Sequence, residues 1–219
     1  ATHGVPNQIN AHPHSTDQVY VVHNGIIENS DELKKEYEAK GYKFKSQTDT
    51  EVITIILTDF LKTENLVDSI YKTLNKLIGS FALGVIFKNY KNLVVGARRG
   101  SPLAVGYGHS ENFIGSDSYA LKTMTNKISY LDDGDFCLLS KEKVEFYNSD
   151  KKKINKEVFE LSNEDNIVDK GDFKDFMSKE IDEQNLTTKK CLNEYLDKSR
   201  NEINIYNIPI DPNKINKIR

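Results

Sequence analysis

Apolar residues in the first two-thirds of the chain recur first at helical spacing and later in short, evenly spaced runs. Positions 52, 53, 56, 57 and 60 are all apolar, which is the spacing of one helix face. Similar stretches predict helices at 66–77 and between 29 and 41, where a glycine ends the helix. From position 81 the runs predict strands at 81–87, 93–97, 103–107, 112–115, 136–139 and 144–147, with a short helix at 118–124. Because few residues separate these runs, we expect antiparallel pairing.

The last third of the chain loses this regular pattern and is rich in Lys, Asp, Glu and Asn. A helical stretch is predicted at 176–184. From position 201 onward, asparagine and isoleucine alternate and two prolines follow, which predicts a linker or a disordered tail.

Composition narrows the classes of partner. The 219 residues are 37% hydrophobic and carry a formal net charge of −3, whereas a nucleic-acid surface needs a clustered basic excess. No apolar run approaches the roughly 18–20 residues of a membrane span, so we expect neither nucleic acid nor membrane as a partner. Cys137 and Cys191 form neither a disulfide framework nor a metal-ligand spacing, which favours a reducing, cytoplasmic setting.

An apolar strand pattern from position 18 to position 27 is interrupted by Asn24 and Gly25. Asn-Gly between apolar runs is a strong signal for a hairpin turn, and on local pattern alone the turn is favoured. The alternative is functional, because a side-chain amide followed by an unobstructed backbone N–H supplies the two donors of an oxyanion hole.

Asp49 lies at the predicted start of the helix that follows it. Thr48 and Glu51 have the spacing of a capping box, so Asp49 could simply complement the helix dipole. The alternative is a fixed carboxylate that receives a substrate ammonium. Three histidines before position 15 raise the question of a metal site, but His12-Pro13-His14 is not a familiar ligand spacing, and hydrogen-bonding roles are favoured.

The order of these motifs resembles the glutaminase domain of class II glutamine amidotransferases. The resemblance covers residues 1–190 and rests on segments 1–4, 10–14, 22–29, 48–53, 99–103, 116–117 and 131–135. Segments 169–171 and 177–184 resemble the region that leads into the isomerase half of glutamine–fructose-6-phosphate aminotransferases. The resemblance implies an α+β fold, a four-layer αββα sandwich of two antiparallel sheets, the N-terminal-nucleophile hydrolase fold. It also implies a glutaminase domain at 1–165 and a helical and disordered linker at 166–219.

The resemblance also implies the chemistry of the site. An N-terminal cysteine thiol attacks the glutamine amide with its own α-amine as base. Asn24 and Gly25 match the oxyanion hole, and we expect glycine there because a side chain would crowd the approach to its N–H. The other matches concern binding of L-glutamine. Asp49 matches the carboxylate that receives the α-ammonium, Thr2 and His3 match residues near the α-carboxylate, and His12 matches a residue that orders the loop over the site. No cofactor and no metal are implied.

The sequence departs from the family at the nucleophile. Residue 1 is Ala, and Cys137 and Cys191 lie within predicted elements, so neither can supply an N-terminal amine. We therefore expect a fragment, truncated at its N-terminus, of a longer and homo-oligomeric enzyme. In that enzyme ammonia would pass to fructose 6-phosphate in an isomerase domain outside this sequence, while the fragment alone would be inactive and would expose sheet edges. The alternative is a non-catalytic amino-acid-binding or regulatory module.

Overall fold

The computed structural model of the protein describes residues 4–161, 170–197 and 202–203. Contacts between Cα atoms group the chain into two compact units, Ala1–Asp165 and Asn166–Arg219. The helices of the first unit are α1 (Ser30–Ala39), α2 (Glu51–Phe60), α3 (Leu66–Lys76) and α4 (Ser118–Leu121). Its strands are β1 (His14–Ser15), β2 (Val19–Ile27), β3 (Gly79–Phe87), β4 (Leu93–Arg99), β5 (Ala104–Tyr107), β6 (Asn112–Gly115), β7 (Lys127–Tyr130), β8 (Phe136–Ser140), β9 (Val144–Tyr147), β10 (Lys153–Ile154) and β11 (Phe159–Glu160).

A seven-stranded antiparallel sheet in the order β1-β2-β3-β4-β8-β9-β10 forms the centre of the first unit. Its longest pairing joins β2 to β3 over nine residues, from Val19 opposite Phe87 to Ile27 opposite Gly79. Buried and exposed residues alternate along most of β2, since successive side chains of a strand point to opposite faces. The apolar spacing of β2 therefore places one of its faces on the helices.

Helices α1 to α3 cover that face of the sheet. Eight of the ten α2 residues are buried, among them the polar Glu51, Thr54 and Thr58, so burial extends beyond the apolar face of this helix. Large and fully buried side chains of this core include Tyr37, Phe81, Phe136, Ile27, Ile53, Ile56 and Leu77.

A four-stranded antiparallel sheet, in the order β11-β7-β5-β6, packs on the opposite face of the first sheet. Ala82 and Cys137 of the first sheet share one buried cluster with Val105 of the second. On the outer side of the second sheet, Leu121 of α4 packs against Ala104 and Ile128. The layers are thus helix, sheet, sheet and helix, so the predicted α+β fold class is confirmed, although the last helical layer is only the single turn of α4.

The predicted helices and long strands lie where the apolar spacing placed them, but some boundaries differ. The helix expected at 118–124 ends at Leu121, and strand β7 was not predicted. Its four residues, Lys127–Tyr130, contain one large aliphatic side chain, which is too short a pattern to separate from a loop.

The second unit is described in part. Helix α5 (Phe176–Tyr195) extends beyond the predicted stretch, and the Asp175 side chain caps it by accepting a hydrogen bond from the Ser178 N–H at 2.8 Å. Strands β12 (Leu196–Asp197) and β13 (Glu202–Ile203) pair antiparallel, which differs from the expected linker at that point. Residues 204–219 lie outside the described residues, so a disordered tail there stays a prediction. Within the described ranges, no helix combines the length and apolar character that a membrane crossing requires.

Candidate active site

A cavity of about 460 Å³ opens beside the second half of β2 and the start of α2, within the range of roughly 300–1,000 Å³ that is typical of small-molecule sites. Its lining residues are His12, His23, Asn24, Gly25, Ile26, Asp49 and Thr50. Four of the residues predicted for function therefore line one cavity, although they come from three separate segments of the chain.

Asn24 and Gly25 lie inside β2 and not in a turn. They are opposite Ala82 and Phe81 of β3, so the hairpin turn that the local pattern favoured is wrong. The Asn24 side chain is exposed on the cavity side and has no hydrogen-bond partner among the described residues. Its amide is thus available to donate to a ligand.

Gly25 is required by the backbone as well as by the site. Its φ is +133°, a conformation that L-residues rarely adopt, and a Cβ there would lie 2.1 Å from the carbonyl oxygen of Ser80 on β3. The reason we expected, crowding at the Gly25 N–H, is therefore incomplete. A side chain would first collide with the neighbouring strand.

Asp49 is anchored to β2 and does not cap α2. The carboxylate is only 6% exposed, and its Oδ2 accepts a hydrogen bond from the backbone N–H of Ile27 at 2.8 Å. The expected capping box between Thr48 and Glu51 is wrong, because the Thr48 hydroxyl contacts Ser46 Oγ and His14 Nε2 instead. The Glu51 carboxylate accepts instead from the backbone N–H groups of Lys45 and Ser46, at 2.9 and 2.6 Å.

The histidines at the cavity meet hydroxyl groups. His12 Nε2 lies 3.2 Å and His23 Nδ1 lies 3.0 Å from the same Thr50 hydroxyl, while His14 Nε2 lies 3.0 Å from the Thr48 hydroxyl. Burial, followed by the neighbouring His14, lowers the pKa of His12, and burial lowers the pKa of His14. Both imidazoles are therefore neutral at pH 7. Among the described residues, no three His, Cys, Asp or Glu side chains are grouped so that they could hold a metal ion.

Neither cysteine is part of this cavity, and two predicted site residues cannot be compared with it. Thr2 and His3 fall outside the described residues, so their predicted roles stay predictions. Cys137 is fully buried on β8, where burial raises its pKa to about 12, and Cys191 is exposed on α5. Neither thiol lines the cavity.

Two polar cavity residues, His23 and Thr50, were not predicted for the site, nor was the apolar Ile26. Each adjoins a predicted residue in sequence, His23 before Asn24 and Thr50 after Asp49. This adjacency was the signal that could have identified them as site residues. For His23, however, the alternation of buried and exposed residues along β2 predicts a side chain in the core instead of the site.

Comparison with known proteins agrees with this geometry. Residues 7–123 match the family model of the glutamine amidotransferase domain, and that range contains every described residue predicted for the site. The chain belongs to this glutamine amidotransferase family. Glutamine–fructose-6-phosphate aminotransferase (isomerizing) of Mesorhizobium japonicum is 43% identical over 219 residues, which are 100% of this chain and 36% of that protein. The protein of the same name from Zymomonas mobilis is 41% identical, with the same coverage.

The chain thus spans about 36% of the length of the curated relatives it matches. Among solved structures, the glutamine phosphoribosylpyrophosphate amidotransferase of B. subtilis, complexed with ADP and GMP, is similar with a TM-score of 0.58 and 21% identity, over 66% of this chain and 33% of that one. An allosteric regulatory enzyme of purine biosynthesis is similar with a TM-score of 0.53 and 21% identity, over 65% of this chain and 31% of that one. These likenesses confirm the amidotransferase fold of two antiparallel sheets.

Proposed function

We propose that this chain is the glutamine-hydrolysing part of a glutamine–fructose-6-phosphate aminotransferase (isomerizing). The intact enzyme would convert L-glutamine to glutamate and pass the ammonia to fructose 6-phosphate, which would give glucosamine 6-phosphate. The observation that carries this proposal is the single cavity that brings Asn24 and Gly25 together with the buried carboxylate of Asp49. The 41–43% identity to enzymes of that name supports the choice of reaction.

Hydrolysis would proceed through an oxyanion held at β2. A thiolate bonds to the side-chain amide carbon of glutamine, and the carbonyl electrons move onto the oxygen. The Asn24 amide and the Gly25 N–H then donate hydrogen bonds to that oxyanion. The base returns the thiol proton to the amide nitrogen, and collapse of the intermediate breaks the C–N bond and expels ammonia. Water then adds to the thioester, which releases glutamate and the free thiol.

The thiolate is proposed to come from outside these 219 residues. Cys137 is buried with a pKa raised to about 12, and Cys191 is not among the cavity residues. An N-terminal cysteine of the intact protein would supply both the thiol and, through its α-amine, the base.

The second sheet offers a place for a segment that carries this nucleophile. Strand β6 is at the edge of that sheet. Beside it, Tyr20, Val22 and Ile86 of the first sheet are 42–52% exposed, and with Ile114 of β6 they line an apolar cavity of about 370 Å³. An exposed strand edge next to apolar surface favours pairing with a further strand. We assign this surface to the segment that precedes the chain in the intact protein.

Asp49 would select an amino acid. The Ile27 N–H fixes the orientation of this buried carboxylate, and the carboxylate would form a charge-assisted hydrogen bond to the α-ammonium. The contact between His12 and Thr50 supports the proposed role of His12 in ordering the loop over the site.

Domain organisation, assembly and location complete the proposal. Residues 1–165 would form the glutaminase domain, and residues 166–219 would lead to the sugar-phosphate isomerase domain. The intact enzyme would be a cytoplasmic homo-oligomer without a nucleic-acid or membrane partner.

A second candidate function is a regulatory module that binds glutamine without hydrolysing it. It is favoured by one observation, namely that no cysteine thiol lines the cavity of the described residues. The residue that begins the mature intact protein separates the two candidates, because hydrolysis by the proposed route requires a cysteine there.

The test is glutamate release by the intact protein and by its Asn24→Ala variant. Loss of one oxyanion donor should lower kcat by about 10²- to 10³-fold with little change in KM. Asn89→Ala is the matched control, because Asn89 is exposed and lies outside this cavity. The 219-residue chain alone should release no ammonia.

Two results would contradict the proposal. An Asn24→Ala variant with the kcat of the unmodified protein would remove Asn24 from the oxyanion hole. Turnover by the 219-residue chain would show that the nucleophile lies within it.

A further inference from the structure

Two threonines flank Asp49 in sequence, and each contacts one histidine of the His-Pro-His segment. Thr48 Oγ1 lies 3.0 Å from His14 Nε2, and Thr50 Oγ1 lies 3.2 Å from His12 Nε2. The two contacts are chemically alike, but only Thr50 lines the cavity that contains Asn24 and Gly25.

The Thr50 hydroxyl meets three polar groups at once. Besides His12 it contacts His23 Nδ1 at 3.0 Å, and it donates to Asp49 Oδ1 at 3.4 Å. Thr50 is 2% exposed and His23 is 8% exposed, so little solvent reaches this contact.

One arrangement of donors and acceptors is consistent with all three contacts of the Thr50 hydroxyl. A hydroxyl has one proton and two lone pairs, whereas a carboxylate only accepts. When Thr50 donates to Asp49, its lone pairs accept from His12 Nε2–H and His23 Nδ1–H. In this arrangement the ring nitrogens of His12 and His23 that face Thr50 both carry a proton.

The same contact separates Asp49 from the histidines. Backbone N–H of Ile27 holds one carboxylate oxygen, and the Thr50 hydroxyl holds the other. His23 Nδ1 is only 3.9 Å from Asp49 Oδ1. Without the Thr50 hydroxyl, the His23 Nδ1–H would turn toward that nearby oxygen, where it would compete with an incoming ammonium.

We propose that Thr50 is a positioning residue for recognition of the α-ammonium of glutamine. It acts through Asp49, by fixing the carboxylate and by supplying the two imidazoles with another acceptor. This inference rests on the proposed function, because it takes the cavity to be the glutamine site.

The test compares Thr50→Val, Thr50→Ser and Thr48→Val in the intact protein. Valine keeps the shape of threonine and removes the hydroxyl, while serine keeps the hydroxyl. We expect Thr50→Val to raise KM for glutamine about tenfold with kcat changed less than about threefold, since one hydrogen bond to a charged group is disturbed. Thr50→Ser should return KM to near its original value. Thr48→Val removes a hydroxyl that is also buried (8% exposed) but lies outside the cavity, and it should leave KM unchanged.

Binding measurements separate recognition of the ammonium from general damage to the site. L-Glutamate carries the α-ammonium and is not hydrolysed, and glutarate is the same molecule without that group. By calorimetry, Thr50→Val should weaken L-glutamate binding about tenfold and leave glutarate binding unchanged, whereas a merely structural defect would weaken both.

Several outcomes would overturn the inference: an unchanged KM in Thr50→Val, an equal rise in Thr48→Val, failure of Thr50→Ser to restore binding, or equal losses for both ligands. Different results would contradict the proposed function. An unmodified protein that binds L-glutamate without releasing ammonia from glutamine would contradict hydrolysis, and the two binding affinities would still decide the role of Thr50. An unmodified protein that does not bind L-glutamate would overturn the inference itself.

Discussion

Replacement of Gly25 by alanine tests how closely β2 and β3 approach at the proposed oxyanion hole. A Cβ at Gly25 would lie 2.1 Å from the Ser80 oxygen, 2.8 Å from the Ser80 carbonyl carbon and 2.9 Å from the Phe81 Cα. All three atoms belong to the backbone of β3, so no side-chain rotation can relieve the collision. The strands have to part, or β2 has to leave its present conformation.

The expected loss of stability has two parts. Holding alanine at φ +133° costs about 1–3 kcal/mol, the range for a residue forced into a sparsely populated backbone region. Ordinary contact begins near 3.4 Å, so the Ser80 oxygen would have to move by about 1.3 Å (3.4 minus 2.1). Such a shift breaks one or two ladder hydrogen bonds, at about 0.5–1.5 kcal/mol each. The sum is of order 4 kcal/mol, which is a large share of the stability of a domain.

Gly41→Ala is the matched control. Gly41 also has a positive φ, +91°, but a Cβ there would meet no atom within 4 Å, so only the conformational cost of about 1–2 kcal/mol applies. Urea unfolding of the chain, followed by far-UV circular dichroism, should show Gly25→Ala to be less stable than Gly41→Ala by at least about 2 kcal/mol. Equal losses in the two variants would refute the close approach of the strands.

The remaining predictions concern the carboxylate, the thiols and pH. Asp49→Asn keeps an acceptor for the β2 backbone but loses the charge, so it should raise KM for glutamine about 10- to 100-fold. Asp59→Asn, in the last turn of α2 and outside the cavity, should leave KM unchanged. An unchanged KM in Asp49→Asn would remove Asp49 from ammonium binding. A disulfide reagent should modify the exposed Cys191 in the folded chain. It should modify Cys137, which is buried with a pKa of about 12, only after unfolding. Modification of both thiols in the folded chain would contradict the burial of Cys137. Burial lowers the pKa of His14 below its ordinary value of 6.5, so the unfolded chain takes up a proton at this histidine before the folded chain does. The contribution of neutral His14 to the free energy of unfolding should therefore be fully present above pH 6.5 and decrease as the pH falls below it. Urea midpoints at pH 7.5 and 5.5 measure this, and His14→Gln should reduce the difference between them.

The helices and the long strands could be predicted because their patterns are local. Helix α2 repeats apolar residues at helical spacing, and β3 and β4 are apolar runs bounded by turn residues. The Asn24-Gly25 pair misled because its turn preference is also local. Nine residue pairs between β2 and β3 outweigh that preference. The Asn-Gly dipeptide alone does not indicate this pairing, because β3 lies far from it in the sequence.

The misreading of Asp49 has the same physical cause. Thr48 and Glu51 have capping-box spacing, but Glu51 instead binds the backbone at Lys45 and Ser46, which precede it in the loop. Asp49 is thereby left to bind Ile27, a residue 22 positions earlier in the chain. Local spacing describes which hydrogen bonds a helix start can make, and tertiary contacts decided which ones form. Only the resemblance to glutamine amidotransferases placed Asp49 correctly beside Asn24.

The hydrogen bond between Asp49 and Ile27 also connects the two halves of the proposed site. Ile27 lies on β2, the strand that carries Asn24 and Gly25, and β2 is held along its length by β3. The backbone of β2 therefore positions both the carboxylate proposed to bind the ammonium and the donors proposed to bind the oxyanion. Because β2 is paired with β3 through Asn24, Gly25 and Ile27, the fold sets the distance between the two subsites. Under the proposed function, that fixed distance is what would align the side-chain amide of glutamine with the oxyanion donors once its ammonium is bound.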